Sequence, residues 1–360
     1  MEKVPAVVIG AGVVGCAVAQ ALARAGITPL VLEAGPRIAE GVTSRNSGVI
    51  HAGIYYPPDS LKARSCLRGK ELLVEWCEKH QVPWQRTGKW IVGQAGDEAD
   101  LQATLDNALR SGATGLSWKN AREIQDSLPQ VKAQVALFSA ETGIVDPYLF
   151  SRSLLDDALG QGADLITDAP VQSIEDLAGG AYLLRTPRGE IAAERVINSA
   201  GLYADSVARL AGVNDYQIYP WRGDYFRSRR NLGLKTLVYP VKKKDAPGLG
   251  IHVTLDLAGE MKLGPDVEFS KSKEDFSPRA DKKEKFFQAA STYLPGLQMD
   301  DLVFDTVGVR PKLRSPQDKK ELDFILRQDR PGFVNLVGIE SPGLTAAMAL
   351  GELVLDMIKD

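Results

Sequence analysis

The chain has 360 residues, 44% of them hydrophobic, which is enough for one large or two interleaved cores. A charged fraction of 25% and a formal net charge of −3 carry no basic footprint for nucleic acid. Three cysteines, Cys16, Cys66 and Cys77, fit neither a metal knuckle nor a disulfide framework, so no metal site is expected. In chain order, Val4–Ile9 predicts a buried parallel strand and Val14–Ala25 a small-residue helix closed by Gly26. Pro29–Leu32 predicts a second strand ending in Glu33, so the chain opens with a βαβ unit. The opening MEKVPAVVIGAGVVG is too short and glycine-broken for a signal peptide, and no run of about 20 apolar residues follows, so a cytoplasmic location is the expectation.

Leu61–Lys79 predicts a strong amphipathic helix, Trp84–Gln94 a strand with Gly88 inside it, and Glu98–Ser111 and Asn120–Ser127 helices. Ala136–Ser139 is a short strand and Pro147–Ala158 a helix. Asp164–Leu184 and Glu190–Asn198 follow as strands, with a turn at Ala178-Gly179-Gly180. After Gly212 the pattern changes to Tyr216–Arg229, Leu237–Val241, Gly250–Leu257 and Glu260–Leu263, with a hairpin around Asp256–Gly259. Lys282–Tyr293 predicts a helix, Leu302–Arg310, Asp323–Gln328 and Phe333–Gly338 strands, and Thr345–Ile358 a closing helix. Lys242–Lys244 and Lys271–Lys285 read as solvated loops, with a membrane-surface or partner patch as the other reading. The expected fold is α/β (α+β overall). A discontinuous Rossmann-like domain (1–83, 145–214, 325–360) holds an inserted, mainly antiparallel substrate domain (84–144, 215–324).

Gly10-Ala11-Gly12-Val13-Val14-Gly15 is a GxGxxG loop. Gly10 permits the tight turn, Gly12 lets the backbone approach a pyrophosphate, and Gly15 lets helix pack on strand. The phosphates then meet free N–H groups at a helix N-terminus. Glu33 lies at about the 20-residue offset at which a carboxylate accepts from ribose hydroxyls. The loop alone does not separate FAD from NAD. No second GxGxxG appears, which argues against an additional nicotinamide domain.

Further blocks separate the two. Ser44-Arg45-Asn46-Ser47-Gly48-Val49-Ile50-His51-Ala52-Gly53-Ile54-Tyr55-Tyr56 and Leu61-Lys62-Ala63 strongly resemble the L-2-hydroxyglutarate dehydrogenase/oxidase family. That family sits within the FAD-dependent oxidoreductases that resemble D-amino-acid oxidase and glycerol-3-phosphate dehydrogenase. The resemblance recurs at Thr142–Pro147, Asn198–Asp205, Arg222–Tyr225, Leu237–Val241, Gly248–Thr254, Gly308–Lys312 and Gly338–Thr345, so it spans nearly the whole chain. It implies noncovalent FAD, held by Gly10, Gly12, Val13, Val14, Gly15, Glu33 and Ala34. It adds cofactor contacts from Ser44, Arg45, Asn46, Ser47 and Gly48, which by residue type alone are an Asn/Ser-rich turn. It also adds Val171 at the adenine, Ala200 and Gly201 at close approach, and Gly338, Gly343, Leu344 and Thr345 at the last helix.

Three histidines are present. His80, beside Lys79 at a helix end, reads as surface. By residue type His51 reads as a satisfied core histidine and His252, alternating with Ile251 and Val253, as solvent-facing; through the resemblance both are groups near flavin and substrate. Arg310, in Gly-Val-Arg-Pro, is implied to hold the substrate carboxylate, for which a charged fork is suited. Lys312, Arg222 and Tyr239 are candidates for a second anchor, and Ser341 for contact with substrate or flavin. The implied reaction is oxidation of a small (S)-2-hydroxy acid, best L-2-hydroxyglutarate to 2-oxoglutarate. A histidine takes the hydroxyl proton and flavin N5 takes the hydride. Rival readings are an amino-acid or amine oxidase, a glycerol-3-phosphate-type dehydrogenase, a FAD-binding RNA-modifying protein and an NAD-dependent dehydrogenase. Oxygen, a quinone or a soluble carrier are all open as electron acceptor, and quinone use would bring peripheral contact at the inner membrane face.

Overall fold

Ala6–Ile9 is apolar and buried at all four positions, the pattern of a strand covered on both faces. In the computed structural model, which describes residues 3–243, 249–318 and 320–359, it lies inside a six-stranded sheet. The order is Asp164–Ile166, Pro29–Leu32, Ala6–Ile9, Val196–Asn198, Phe333–Val337, Ile325–Arg330. The first five run parallel, and the last closes the edge antiparallel. Alternation splits the strand: Ala6 and Val8 join the core under helices Val13–Arg24, Leu61–His80, Pro147–Gly160 and Gly343–Lys359. Val7 and Ile9 join a second core, under helix Ala204–Leu210 and a small sheet built from Ser173–Asp176, Tyr182–Thr186, Gly189–Ala193 and Lys3–Val4.

A second, larger sheet is antiparallel apart from one parallel contact, Leu237–Pro240 beside Lys89–Gly93. Its order is Glu268–Phe269, Tyr219–Ser228, Met261–Leu263, Val253–Leu255, Leu237–Pro240, Lys89–Gly93, Val135–Ser139, Leu116–Asn120. Leu302–Lys312 pairs along almost the full length of Tyr219–Ser228 and slips register between Tyr225 and Phe226. One face packs on helix Lys283–Ser291 through Phe226, Leu263 and Phe286. A three-stranded sheet, Val49–Ile50, Gly143–Val145 and Trp84–Gln85, lies where the chain crosses between the two large sheets. No helix among the described residues is long and apolar enough to cross a membrane.

Several elements differ from expectation. The strand expected over 84–94 is two, Trp84–Gln85 and Lys89–Gly93, because Gly88 takes φ +66° and turns the chain from one sheet into another. The strand expected over 164–184 is three pieces that serve two sheets. Leu116–Asn120 is an edge strand with polar, half-exposed positions, so it lacks the alternation that marks a covered strand. The charged stretch Lys271–Lys285 is not a solvated loop. Asp205, Asp224 and Asp266 are buried, and a buried carboxylate needs a partner. Lys273 meets Asp205 at 2.6 Å, and Lys282 meets Asp224 at 2.5 Å and Asp266 at 3.0 Å. Of the three lysines Lys242–Lys244, Lys243 pairs with Asp97 and Asp100, and Lys244 lies outside the described residues, as does Gly248.

Candidate active site

Helix Val13–Arg24 starts at Gly12 with no side-chain cap, so N–H groups of its first turn face the end of the parallel sheet. Gly10 has φ +100°, and a Cβ on Gly15 would fall 1.8 Å from the Gly10 oxygen, so helix and turn rest directly on each other. Glu33 is already oriented: Oε2 accepts from the Ala11 N–H at 2.8 Å and Oε1 from the Gly35 N–H at 2.9 Å. From here a cavity of about 1790 Å³ runs between the two large sheets to His252 and Arg310. An uncapped helix start, glycines at closest approach and a fixed carboxylate are the donor and acceptor set a dinucleotide requires.

The far end of the cavity is built by the antiparallel sheet. Arg310 stands opposite Trp221 on the paired strand, and its guanidinium crosses that strand at Gly223, where a Cβ would fall 2.6 Å from Nη2. Among the described residues Arg310 donates only to carbonyls, those of Arg222 and Asp266, all at 3.3 Å. Its charge is therefore positioned but not neutralised. Gly308 does parallel work for the cofactor loop. A Cβ there would fall 2.2 Å from the Arg45 oxygen, so the loop crosses the strand in direct contact.

His252 is buried, with Tyr239 stacked on its ring at 3.8 Å. Its Nδ1 lies 2.9 Å from the Gly250 oxygen. A carbonyl can only accept, so Nδ1 carries the hydrogen and Nε2 the lone pair. His51 Nε2 lies 3.2 Å from Ser341 Oγ, which lies 3.3 Å from the Tyr56 hydroxyl. The His51 N–H donates to Thr345 Oγ1 at 3.0 Å, which ties the loop to the last helix. Burial, then Lys89 and His252, pushes the His51 imidazole down to about 3. Burial, with Lys89 and Arg310 behind it and the Gly250 bond opposing, brings His252 to about 3 as well. Both rings are therefore neutral near pH 7.

The cavity brings together His51, His252, Arg310, Lys312, Tyr239 and Ser341, along with Gly10, Gly12, Val13, Val14, Glu33, Ala34, Arg45, Asn46, Ser47, Val171, Ala200, Gly201, Gly343 and Leu344. Several expected residues are elsewhere. Arg222 does not line the cavity: it is fully buried and pairs with Asp224 at 2.5 Å and Asp275 at 2.9 Å, so it cannot be a second anchor. Ser44 is exposed and donates to the carbonyls of Glu40 and Gly41; its neighbour Thr43 faces inward and accepts the Val13 N–H at 3.0 Å. Gly15, Gly48, Gly338 and Thr345 do not line the cavity; Gly48 packs on the Val145 oxygen, Gly338 on Leu313, and Thr345 supports His51. Lys312 lines the cavity, but its Nζ is shared between Glu321 at 2.8 Å and Glu340 at 3.3 Å.

Sequence reasoning missed Thr43, Tyr55, Tyr56, Lys62, Tyr225 and Glu340, all on the cavity wall. Lys62 and Glu340 form an ion pair of 2.9 Å with both side chains 8% exposed. Burial alone would raise the Glu340 carboxyl, but Lys62 and Lys312 together hold it below the usual carboxylate value. Advance signals for Lys62 are its place in the Leu61-Lys62-Ala63 block that carries the resemblance and its position after the Ser60 cap, where a helix start usually lacks a buried cation. His80, read as surface, is half-buried and stacks on Trp76 at 3.8 Å, away from the cavity.

A dinucleotide cradle that opens into a pocket with an unneutralised arginine and two neutral histidines defines a redox enzyme for small acids. A family model described as "FAD dependent oxidoreductase" matches residues 6–357, and the chain belongs to that family. FAD is thus its cofactor. The mitochondrial L-2-hydroxyglutarate dehydrogenase of Arabidopsis thaliana is 35% identical, over 98% of this chain and 82% of that protein. A glycerol 3-phosphate dehydrogenase of Caloramator mitchellensis is 28% identical, over 98% of this chain and 73% of that one. Among solved structures, the FAD-bound L-α-glycerophosphate oxidase of Mycoplasma pneumoniae superposes with a TM-score of 0.92 at 26% identity, covering 100% of this chain and 96% of that one.

Proposed function

We propose that this enzyme oxidises the 2-hydroxyl of a small (S)-2-hydroxy acid, with L-2-hydroxyglutarate the best substrate and 2-oxoglutarate the product. The observation that carries the reading is Arg310, a charged fork held only by carbonyls, in one pocket with two neutral histidines. The substrate C1 carboxylate binds Arg310 in a bidentate pair. His252 Nε2, whose lone pair is fixed by the Nδ1 bond to Gly250, takes the hydroxyl proton. Ser341 and Tyr56 hold His51 across the pocket and orient the substrate hydroxyl side. Bound FAD, held noncovalently at Gly10, Gly12, Glu33 and Thr43, supplies the acceptor for the hydride that leaves C2. The 35% identity to an L-2-hydroxyglutarate dehydrogenase supports the choice of acid.

A second reading has support of its own. Arg310 suits a phosphate as well as a carboxylate, and one relative and one solved structure are glycerol-phosphate enzymes. Anaerobic flavin bleaching separates the two. The yellow protein is mixed separately with L-2-hydroxyglutarate, its D-enantiomer, glycerol 3-phosphate and a panel of amino acids. Rapid bleaching by L-2-hydroxyglutarate alone is expected. Bleaching by glycerol 3-phosphate or an amino acid instead would overturn the substrate, and protein that takes up no FAD would overturn the cofactor.

A further inference from the structure

Lys89 opens the strand Lys89–Gly93 and is completely buried. Among the described residues its ammonium has no hydrogen-bond partner. It lies 4.8 Å from the ring centre of Tyr55 and 4.8 Å from that of Tyr239. Both tyrosines line the cavity, and Tyr239 in turn stacks on His252. Tyr239 thus contacts both the ammonium and the imidazole.

An unpaired cation in a protein interior is among the least favourable arrangements a fold can hold. Two aromatic faces offset only part of the loss. A methionine would fill the same space without it, so packing does not account for a lysine here. We propose that Lys89 is a positioning residue for the oxidation: its charge, set behind the Tyr55 and Tyr239 rings, keeps His252 and His51 in the neutral form that accepts a proton. This rests on the reading of the cavity as the place where a histidine takes the hydroxyl proton.

The surroundings of the two rings leave Lys89 this role. His252 meets Tyr239, the Gly250 carbonyl and the field of Arg310. His51 meets Ser341 and Tyr56 on one side and the helix bearing Cys66, whose thiol donates to the His51 carbonyl at 3.5 Å. The carboxylate beside Ser341, Glu340, is held by Lys62 and Lys312. No carboxylate hydrogen-bonds either ring among the described residues, and the one contact that favours an imidazolium is the Gly250 carbonyl on His252. Burial is the larger influence on both rings, and Lys89 adds to it on both. Burial brings Lys89 itself down to about 7, with Cys66 opposing, so it is charged in the acid range where an ordinary histidine would protonate.

With three histidines in the chain, the test is a ¹⁵N-histidine NMR titration of the FAD-loaded protein, assigned with single His→Gln variants. In the unaltered protein His51 and His252 are expected to remain neutral at about pH 5. Lys89→Met should raise the midpoint of His252, and to a lesser degree His51, by about one pH unit. Lys89→Arg should restore the original midpoints, and the acid limb of kcat/KM should move with them. A Lys89→Met protein whose histidines titrate as before would overturn the proposal, even if its rate falls. If that variant does not fold, the titration of the unaltered protein decides: His51 and His252 that protonate near the ordinary value, about 6.5, would overturn the proposal. The histidine titrations need no substrate, so a wrong substrate and a wrong role for Lys89 give different results.

Discussion

The two ends of the cavity are built on different principles. The nucleotide end is made of backbone: a glycine turn, a bare helix start and one carboxylate, all within residues 10–35. The substrate end is made of side chains that arrive from far apart, His51 from a loop, His252 and Arg310 from the antiparallel sheet, and Ser341 from the start of the last helix. A backbone site tolerates almost no change of shape. A side-chain site tolerates changes of shape and depends on which cations are already paired. Arg222 and Arg310 show this on one pair of strands: the first is consumed by Asp224 and Asp275, the second meets only carbonyls.

The sharpest way to break this contrast is Gly15→Val. With a Cβ 1.8 Å from the Gly10 oxygen, helix and turn must separate, and the protein should be isolated without FAD and with a strongly lowered Tm. Retained flavin absorbance would show that the turn is not needed. Next is Arg310→Ala, which should keep its FAD but lose about 2–5 kcal/mol of substrate interaction, read as a fall of about 1.5 to 3.7 orders of magnitude in kcat/KM. An unchanged kcat/KM would remove Arg310 from the site. His252→Gln should lower kcat about 10²- to 10⁴-fold with FAD bound, and more than His51→Gln does, if His252 is the base.

A smaller effect concerns stability. His252 sits at about 3 in the fold against an ordinary value of 6.5. Above pH 6.5 the ring is neutral in both folded and unfolded chains and contributes nothing. As pH falls from 6.5 towards 3 the unfolded chain binds the proton and the fold does not, so stability falls by about 1.4 kcal/mol per pH unit. Urea midpoints measured across that window should slope downward towards acid, and less steeply in His252→Gln. The smallest contrast is between neighbours in the cofactor loop. Thr43→Val should weaken FAD retention a few-fold by removing the acceptor for the Val13 N–H, and Ser44→Ala should leave it unchanged. Equal effects in a flavin-release assay would mean the loop binds through its shape alone.

The same contrast governs what could be read in advance. The βαβ start, the glycine loop and Glu33 were legible because each depends on local backbone geometry, and local geometry is written in neighbouring residues. The strand Phe333–Val337 and the closing helix followed from their apolar runs. His51, His252 and Arg310 entered only through resemblance to a known family, and the structure places all three around one cavity. What the sequence by itself determined is the order of the elements and the chemistry of the nucleotide turn. Only the tertiary structure decided which of two adjacent hydroxyls, Thr43 or Ser44, faces inward and which of two strand arginines keeps a free charge. It also decided that Lys89, beneath two tyrosines, has no hydrogen-bond partner among the described residues. Pairing of charges is set by residues tens to hundreds of positions apart, and a one-residue change in register reverses which face a side chain occupies.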